Sequence, residues 1–221
     1  MKANIIIPAK GSSQRLKNKN LLEINGKSLI YLACEKILKC SNINNVYIDS
    51  ESDEIISNVS RLKSEGLKII KRPKELANND IGANEMMIYG LHSITECDII
   101  LQSFCTSPLI KSKTIDDCIE KFWEKQDKYD SFFTVTPTQE YFWTESGPLN
   151  FSPKMLPNSF QLRELFMETH GLYGIKTTSL IQLKQRIGLN PLKISIPKIE
   201  SFDVNNQEDL NIVRRLLNVS G

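Results

Sequence analysis

Long apolar stretches are missing from this 221-residue chain. A purely aliphatic run such as Ile5–Ile7 falls far short of the ~20 residues a membrane helix requires. Met1-Lys2-Ala3-Asn4 runs straight into that segment and then Pro8, with no apolar region of signal-peptide length and no cleavage site. These absences lead to the expectation of a cytoplasmic protein with no membrane partner. A charge excess is missing too: 28 basic against 26 acidic side chains leave a net charge of +2. Nucleic-acid partners usually demand a clear basic excess, so none is expected, and any anion site must come from local clustering. Cysteine is sparse and odd in number (Cys34, Cys40, Cys97, Cys105, Cys118), without a C-x-x-C pair. That spacing argues for reduced packing residues and against zinc. Only two histidines, His92 and His170, are present, and no Ser-His-Asp or Cys-His arrangement falls at usable spacing.

What remains is an ordinary globular composition, 40% hydrophobic and 24% charged. A chain this long buries roughly 70% of its unfolded surface, enough to fold without disulfides or structural metal. We expect one domain over residues 1–221. Lys2 to Pro8 is a β-branched run ended by proline, the pattern of a fully buried strand. Ile30, Ala33, Cys34, Ile37 and Leu38 follow at helical spacing. Val46–Ile48 predicts a second strand and Ile55, Ile56, Val59 and Leu62 a second helix face. Leu67–Ile70 predicts a third strand, Met86–Ile94 a third helix and Asp98–Gln102 a fourth strand. Ile115, Cys118, Ile119 and Phe122 form another helical stripe. Such alternation predicts an α/β fold, a Rossmann-like, mostly parallel sheet flanked by helices with right-handed crossovers. The rhythm breaks at 136–166, where Pro137, Pro148, Pro153 and Pro157 accompany Phe142-Trp143 and no helical period. A structureless insertion of this length is usually functional or associative. Leu172–Ile175 and Leu192–Ile196 predict later strands, and a last helix starts near Asn206.

Ligands of open parallel sheets bind beyond the carboxyl ends of the strands. After the first strand comes Pro8-Ala9-Lys10-Gly11-Ser12-Ser13-Gln14-Arg15-Leu16-Lys17-Asn18-Lys19-Asn20. A glycine, two hydroxyls and four cations in this loop suit a polyphosphate, or simply a solvated basic loop. It has neither the G-x-x-x-x-G-K-[ST] nor the G-x-G-x-x-G spacing. After the fourth strand comes Gln102-Ser103-Phe104-Cys105-Thr106-Ser107-Pro108-Leu109, which could merely start a helix. Before the last helix stands Phe202-Asp203-Val204-Asn205-Asn206-Gln207-Glu208-Asp209-Leu210. Asn206 suits an N-cap and Glu208 and Asp209 the first helical turn, which leaves Asp203 unexplained.

Together these segments resemble the CMP-sialic acid (acylneuraminate) cytidylyltransferase family, related to the CMP-Kdo synthetases. The family opens with P-A-R-G-G-S-K-R-x-x-x-K-N; here Lys10, Ser12 and Gln14 replace its arginine, glycine and lysine, and Arg15, Lys19 and Asn20 stay in register. Asp49-Ser50-Glu51-Ser52-Asp53-Glu54-Ile55 is similar to its S-T-D-S-E-E-I, and Arg72-Pro73-Lys74-Glu75-Leu76-Ala77 to its R-P-x-E-L-A. Gln102 with Thr106-Ser107-Pro108-Leu109 resembles Q-P-T-S-P-L with about one extra residue. Ser131–Val135, Phe142-Trp143 and Asp203–Leu210 are similar to three later segments, so the likeness spans nearly the whole chain in order.

The resemblance implies transfer of CMP from CTP to the anomeric hydroxyl of a nonulosonic acid, with Mg²⁺ and release of pyrophosphate. It implies catalytic Lys10, Arg15, Lys19 and Asp203, the cations holding phosphates and stabilising the departing pyrophosphate. It implies a nucleotide site of Ala9, Lys10, Gly11, Ser12, Ser13, Arg15, Lys19, Asn20, Arg72 and Ala83, with Arg72 at the cytosine or ribose. Asp80–Asn84 departs from a Thr/Ser-rich family segment. Metal ligation falls to Asp203 and Asn205, Asn205 standing where the family often has a second aspartate; metal-assisted ionisation of the sugar hydroxyl is expected near Asp203. Gln102, Arg163, His170 and Tyr173 are the sugar-side candidates, with Arg163 suited to the carboxylate or to an ion pair within the inserted segment. The insertion at 136–166, with Phe142, Trp143, Phe151, Met155, Leu156 and Phe166 as its apolar face, implies a dimerisation arm and a homodimer. The alternatives are a same-fold nucleotidyltransferase for Kdo or another acidic metabolite, and an inactive CTP-binding relative, which Asn205 favours. A glycosyltransferase lacks its usual D-x-D motif here.

Overall fold

Ile5, Ile6 and Ile7 are fully buried, because their strand lies inside a sheet covered on both faces. The computed structural model describes residues 1–13, 15–78 and 80–219; Gln14 lies outside them. In chain order the elements are β1 (Ala3–Pro8), β2 (Glu23–Ile24), β3 (Lys27–Ser28), α1 (Leu29–Ile37), β4 (Asn45–Ser50) and α2 (Asp53–Asn58). Then come β5 (Leu67–Lys71), α3 (Ala83–Leu91), β6 (Ile99–Gln102), α4 (Ser112–Trp123) and β7 (Ser131–Thr138). The chain ends with β8 (Trp143–Thr144), β9 (Gly147–Pro148), β10 (Leu165–Lys176), α5 (Thr177–Leu183), β11 (Pro191–Ser195) and α6 (Gln207–Val219).

Seven strands form the central sheet in the order β11-β7-β10-β6-β1-β4-β5. All neighbours are parallel except β10, which runs antiparallel to both β6 and β7. The predicted mostly parallel, helix-flanked sheet is therefore observed. One face packs against α1 and α4 through Ile5, Ile7, Ile30, Ile37, Ile115 and Phe122. The opposite face carries Ile6, Tyr47 and Ile70. Helix α3 lies so close there that a Cβ on Gly90 would come within 2.4 Å of Ile6 Cδ1, so only glycine fits.

Local chemistry fixes the helix starts. Ser28 and Ser52 cap α1 and α2 by accepting from the Tyr31 and Ile55 amides. At α6 the Asn206 amide oxygen accepts from Asp209 N while Asp209 accepts from the Asn205 and Asn206 amides, a reciprocal cap. The Ile115, Cys118, Ile119, Phe122 stripe of α4 is buried as its spacing requires. All five cysteines are free and buried, and burial pushes the Cys40, Cys105 and Cys118 thiols up to about 12.

Three differences from expectation have physical reasons. The third helix begins at Ala83, earlier than the apolar pattern shows, because Gly82 sits at its N-cap and exposed polar residues occupy its first turn. Strand β10 begins at Leu165, well before Leu172, its first half being exposed and so carrying no buried-strand signal. Residues 136–166 are not structureless: β7 runs to Thr138, and β8 and β9 form a two-stranded ladder. Phe151 packs edge-on against Tyr141 and Trp143.

Candidate active site

Beyond the carboxyl end of β1 opens a cavity of about 550 Å³, lined by Pro8, Lys10, Ser12, Ser13, Arg15, Lys19, Asn20, Met86, Phe104, Cys105, Thr106, His170, Asp203 and Asn205. Three sequence segments, after β1, after β6 and before α6, meet here with β10. The meeting is built by bonds between the loops. The Asn20 amide donates to Lys10 O at 2.8 Å, and the Cys105 thiol donates to Asn20 Oδ1 at 3.0 Å. Val204 N donates to Thr106 O at 2.8 Å, tying the Asp203 segment to the β6 loop.

Cations dominate one part of the lining. Burial lowers Lys19 from its ordinary value, partly opposed by the Asp203 charge. Burial and then the neighbouring Arg72 charge lower Lys10, whose Nζ donates to Asn78 O at 2.6 Å. An ammonium desolvated in this way is short of anionic partners, a condition that a polyphosphate would relieve. Facing them is Asp203. Its Oδ2 accepts from Asn205 Nδ2 at 2.7 Å and lies 3.7 Å from His170 Nδ1. Its Oδ1 is buried with no hydrogen-bond partner. A buried carboxylate oxygen without a donor is costly, and beside a cavity it is a vacancy for a cation or a donor.

The structure distributes the remaining candidates. Gly11 is not free to bind an anion: its amide donates to Glu51 Oε1 at 2.7 Å. A Cβ at Gly11 would stand 2.8 Å from Ser52 Cβ, so the glycine serves close loop packing. Arg72 does not line the cavity. It is buried with Asp49, donating from Nε at 3.0 Å and Nη2 at 2.9 Å to the two carboxylate oxygens. Its Nη1 is buried without a partner. Ala9 is buried at the end of β1, and its amide donates to Asp49 O. Ala83 starts α3 and its carbonyl accepts a long bond from Gln102. His170, half exposed, does line the cavity. Arg163 is exposed and is not brought to the lining. The β10–β7 register shifts between Glu168 and Tyr173, an irregularity of the kind that re-aims side chains. Tyr173 is buried and donates to Glu168 Oε1 at 2.6 Å; burial, then that bond, raises its phenol.

Two residues escaped the sequence reading as site members. Glu51 sits within the segment similar to the family, but nothing local shows that it holds the Gly11 amide. Arg186 stacks on Tyr173 with 3.8 Å from its guanidinium carbon to the ring centre. Its position after α5 follows no strand-end motif.

The profile of the cytidylyltransferase family matches residues 4–186, and the chain belongs to that family. Among curated relatives, the pseudaminic acid cytidylyltransferase and UDP-2,4-diacetamido-2,4,6-trideoxy-beta-L-altropyranose hydrolase of Helicobacter pylori is 24% identical over 211 residues, covering 92% of this chain and 40% of the relative. The pseudaminic acid cytidylyltransferase of Campylobacter jejuni is 28% identical over 151 residues, 65% of this chain and 63% of the relative. The chain thus spans less than two thirds of either relative's length. The 3-deoxy-manno-octulosonate cytidylyltransferase of Thermodesulfovibrio yellowstonii is 20% identical, covering 96% and 97% of the two chains. Among solved structures, CMP:2-keto-3-deoxy-manno-octonic acid synthetase complexed with CTP superposes with a TM-score of 0.71 at 18% identity, over the whole of both chains. That likeness shows a common fold.

Proposed function

We propose that this chain transfers CMP from CTP to the anomeric hydroxyl of a nonulosonic acid, giving the CMP-sugar and pyrophosphate. The carrying observation is the cavity itself, where Lys10, Arg15 and Lys19 line the same space as Asp203 with its partnerless oxygen. In the reaction the sugar oxygen bonds to the α-phosphorus, and the bond from that phosphorus to the bridging oxygen breaks. The electron pair leaves on pyrophosphate. The three cations bind the triphosphate and offset the charge gathering on the leaving group. Ser12 and Ser13 supply hydroxyls in the same lining. Family membership and relatives named for pseudaminic acid and 3-deoxy-manno-octulosonate support an acidic sugar as acceptor.

Magnesium fits the donor set: Asp203 Oδ1 lacks a partner, and hard oxygens with one or two carboxylates suit this ion. Asp203 and the Asn205 amide oxygen would hold it together with phosphate oxygens. Bound there, it would neutralise phosphate charge. With asparagine at 205, the protein contributes one carboxylate rather than two, so metal affinity should lean on the nucleotide.

We further propose that residues 136–166 form a dimerisation arm. Trp143, Met155, Leu156 and Phe160 are each more than 60% exposed, a concentration of apolar surface that association would bury. Replacing Trp143 and Leu156 by serine should shift the sedimentation profile to monomer.

The direct test is pyrophosphate release with CTP and magnesium against a panel of nonulosonic acids and Kdo. Release with one acid establishes reaction and substrate together. Silence with CTP binding intact would favour the binding-only alternative, whose specific support is Asn205 donating to Asp203 where a second carboxylate would charge the site.

A further inference from the structure

Arg186 is the cation of the β10 side that the catalytic scheme leaves unused. Its backbone amide donates to Asn84 Oδ1 at 3.0 Å, which pins the segment after α5 to the first turn of α3. Its guanidinium carbon lies 3.8 Å from the centre of the Tyr173 ring and 5.9 Å from that of Phe104. Phe104 and His170 contact each other edge-on and both line the cavity. Nη1 donates to Gln102 Oε1 at 3.3 Å, and Nη2 stands 3.5 Å from Glu168 Oε1.

Both of those contacts are long for a guanidinium, whose bonds to carboxylate fall near 2.7–2.9 Å when the two planes meet as a fork. Glu168 Oε1 is already engaged by the Tyr173 hydroxyl at 2.6 Å, so Arg186 holds only a weak share of it. Stacking on Tyr173 fixes the guanidinium plane in advance, so little side-chain freedom is left to lose on binding. Glu168 is 41% exposed and Arg186 18% exposed; the carboxylate can swing away while the cation stays.

We propose that Arg186 binds the carboxylate of the acceptor sugar, displacing Glu168, and so sets the preference for acidic acceptors. The inference rests on the transfer reaction proposed above. A carboxylate on the anomeric carbon adjoins the reacting hydroxyl, so gripping it would aim that oxygen toward the nucleotide. Arg163, to which the sequence pointed for this role, is exposed and away from the lining.

The test compares kcat/KM for the free acid and for its methyl ester, at saturating CTP, in the wild type, Arg186→Gln, Arg186→Lys and Glu168→Gln. The wild type should prefer the acid. Arg186→Gln should lose roughly 10- to 100-fold on the acid, mainly in KM, as expected for a lost charge-assisted pair. Its ester efficiency and CTP affinity should hold, so the acid-to-ester ratio collapses. Arg186→Lys should restore part of the ratio, and Glu168→Gln should lower KM for the acid several-fold by freeing Arg186. A folded Arg186→Gln with an unchanged ratio overturns the proposal. If that variant fails to fold, Glu168→Gln decides: an acid KM that does not fall overturns it. A wild type that turns over no acidic sugar rejects the reaction itself, and this inference with it, whereas an active wild type with unmoved ratios rejects this inference alone.

Discussion

Asp49 and Asp203 both sit near the carboxyl edge of the sheet, and they have opposite lives. Asp49 is sealed against Arg72, both side chains at 0% exposure, with a bond to each carboxylate oxygen. Asp203 keeps one oxygen without a partner and looks across a cavity at Lys19 and Arg15. The lesson is that a charge's role is read from where its partner comes from. A buried pair that completes itself is architecture, and a charge left incomplete beside open space awaits a ligand. The same division separates Arg72 from Arg15, although both belong to segments resembling one family's nucleotide site.

Breaking each side of this comparison should give different kinds of damage. Asp203→Ala should cut pyrophosphate release by roughly 10²- to 10³-fold, the scale of losing one preorganised electrostatic contact. Its melting temperature should stay within a few degrees, because no internal ion pair is lost; equal turnover would remove Asp203 from the site. Asp49→Ala strands the Arg72 guanidinium, and urea unfolding should show a loss of about 3–5 kcal/mol. The double replacement Asp49→Leu with Arg72→Met should recover most of that stability. CTP affinity in this double variant then tests Nη1 of Arg72, which is buried without a partner; unchanged affinity would assign Arg72 to the fold alone.

Lys19→Ala should raise KM for CTP roughly 10-fold with little change in melting temperature, since it removes one charged contact to phosphate. Equal activity at low CTP would contradict a phosphate role. The smallest effect concerns Lys36, a cation held by backbone carbonyls rather than by an acid or a ligand. Its Nζ donates to Pro108 O at 2.8 Å, and burial lowers it to about 8. The unfolded chain keeps this lysine protonated up to about pH 10.4. Between about pH 8 and that value the unfolded state therefore binds the extra proton, and the Lys36 contribution to stability rises with pH. Comparing urea unfolding of the wild type and Lys36→Met at pH 7 and pH 9.5 should show the wild type gaining about 1 kcal/mol relative to the variant. A pH-independent difference would mean that Lys36 is not desolvated.

The sequence was most legible where burial leaves a period. Ile5–Ile7 and the α4 stripe declared themselves because a covered strand and a one-sided helix each restrict residue type position by position. It was least legible where exposure erases the pattern, as in the first half of β10, or where a residue's role depends on a distant partner. Lys10, Arg15, Lys19, Asn20, His170, Asp203 and Asn205 were named in advance and meet around one cavity. The Gly11 amide looked available for an anion until Glu51, 40 residues away in sequence, was found holding it.

The chain by itself therefore determined the alternating elements, the family and the set of polar residues at the strand ends, because these follow from short-range periodicity and motif spacing. Only the tertiary structure decided which charges complete one another. Arg72 with Asp49 and Arg186 with Tyr173 and Gln102 are long-range meetings between segments 23 and 84 residues apart or nearer. Electrostatic pairing acts through space over a few ångströms, and no local pattern records it.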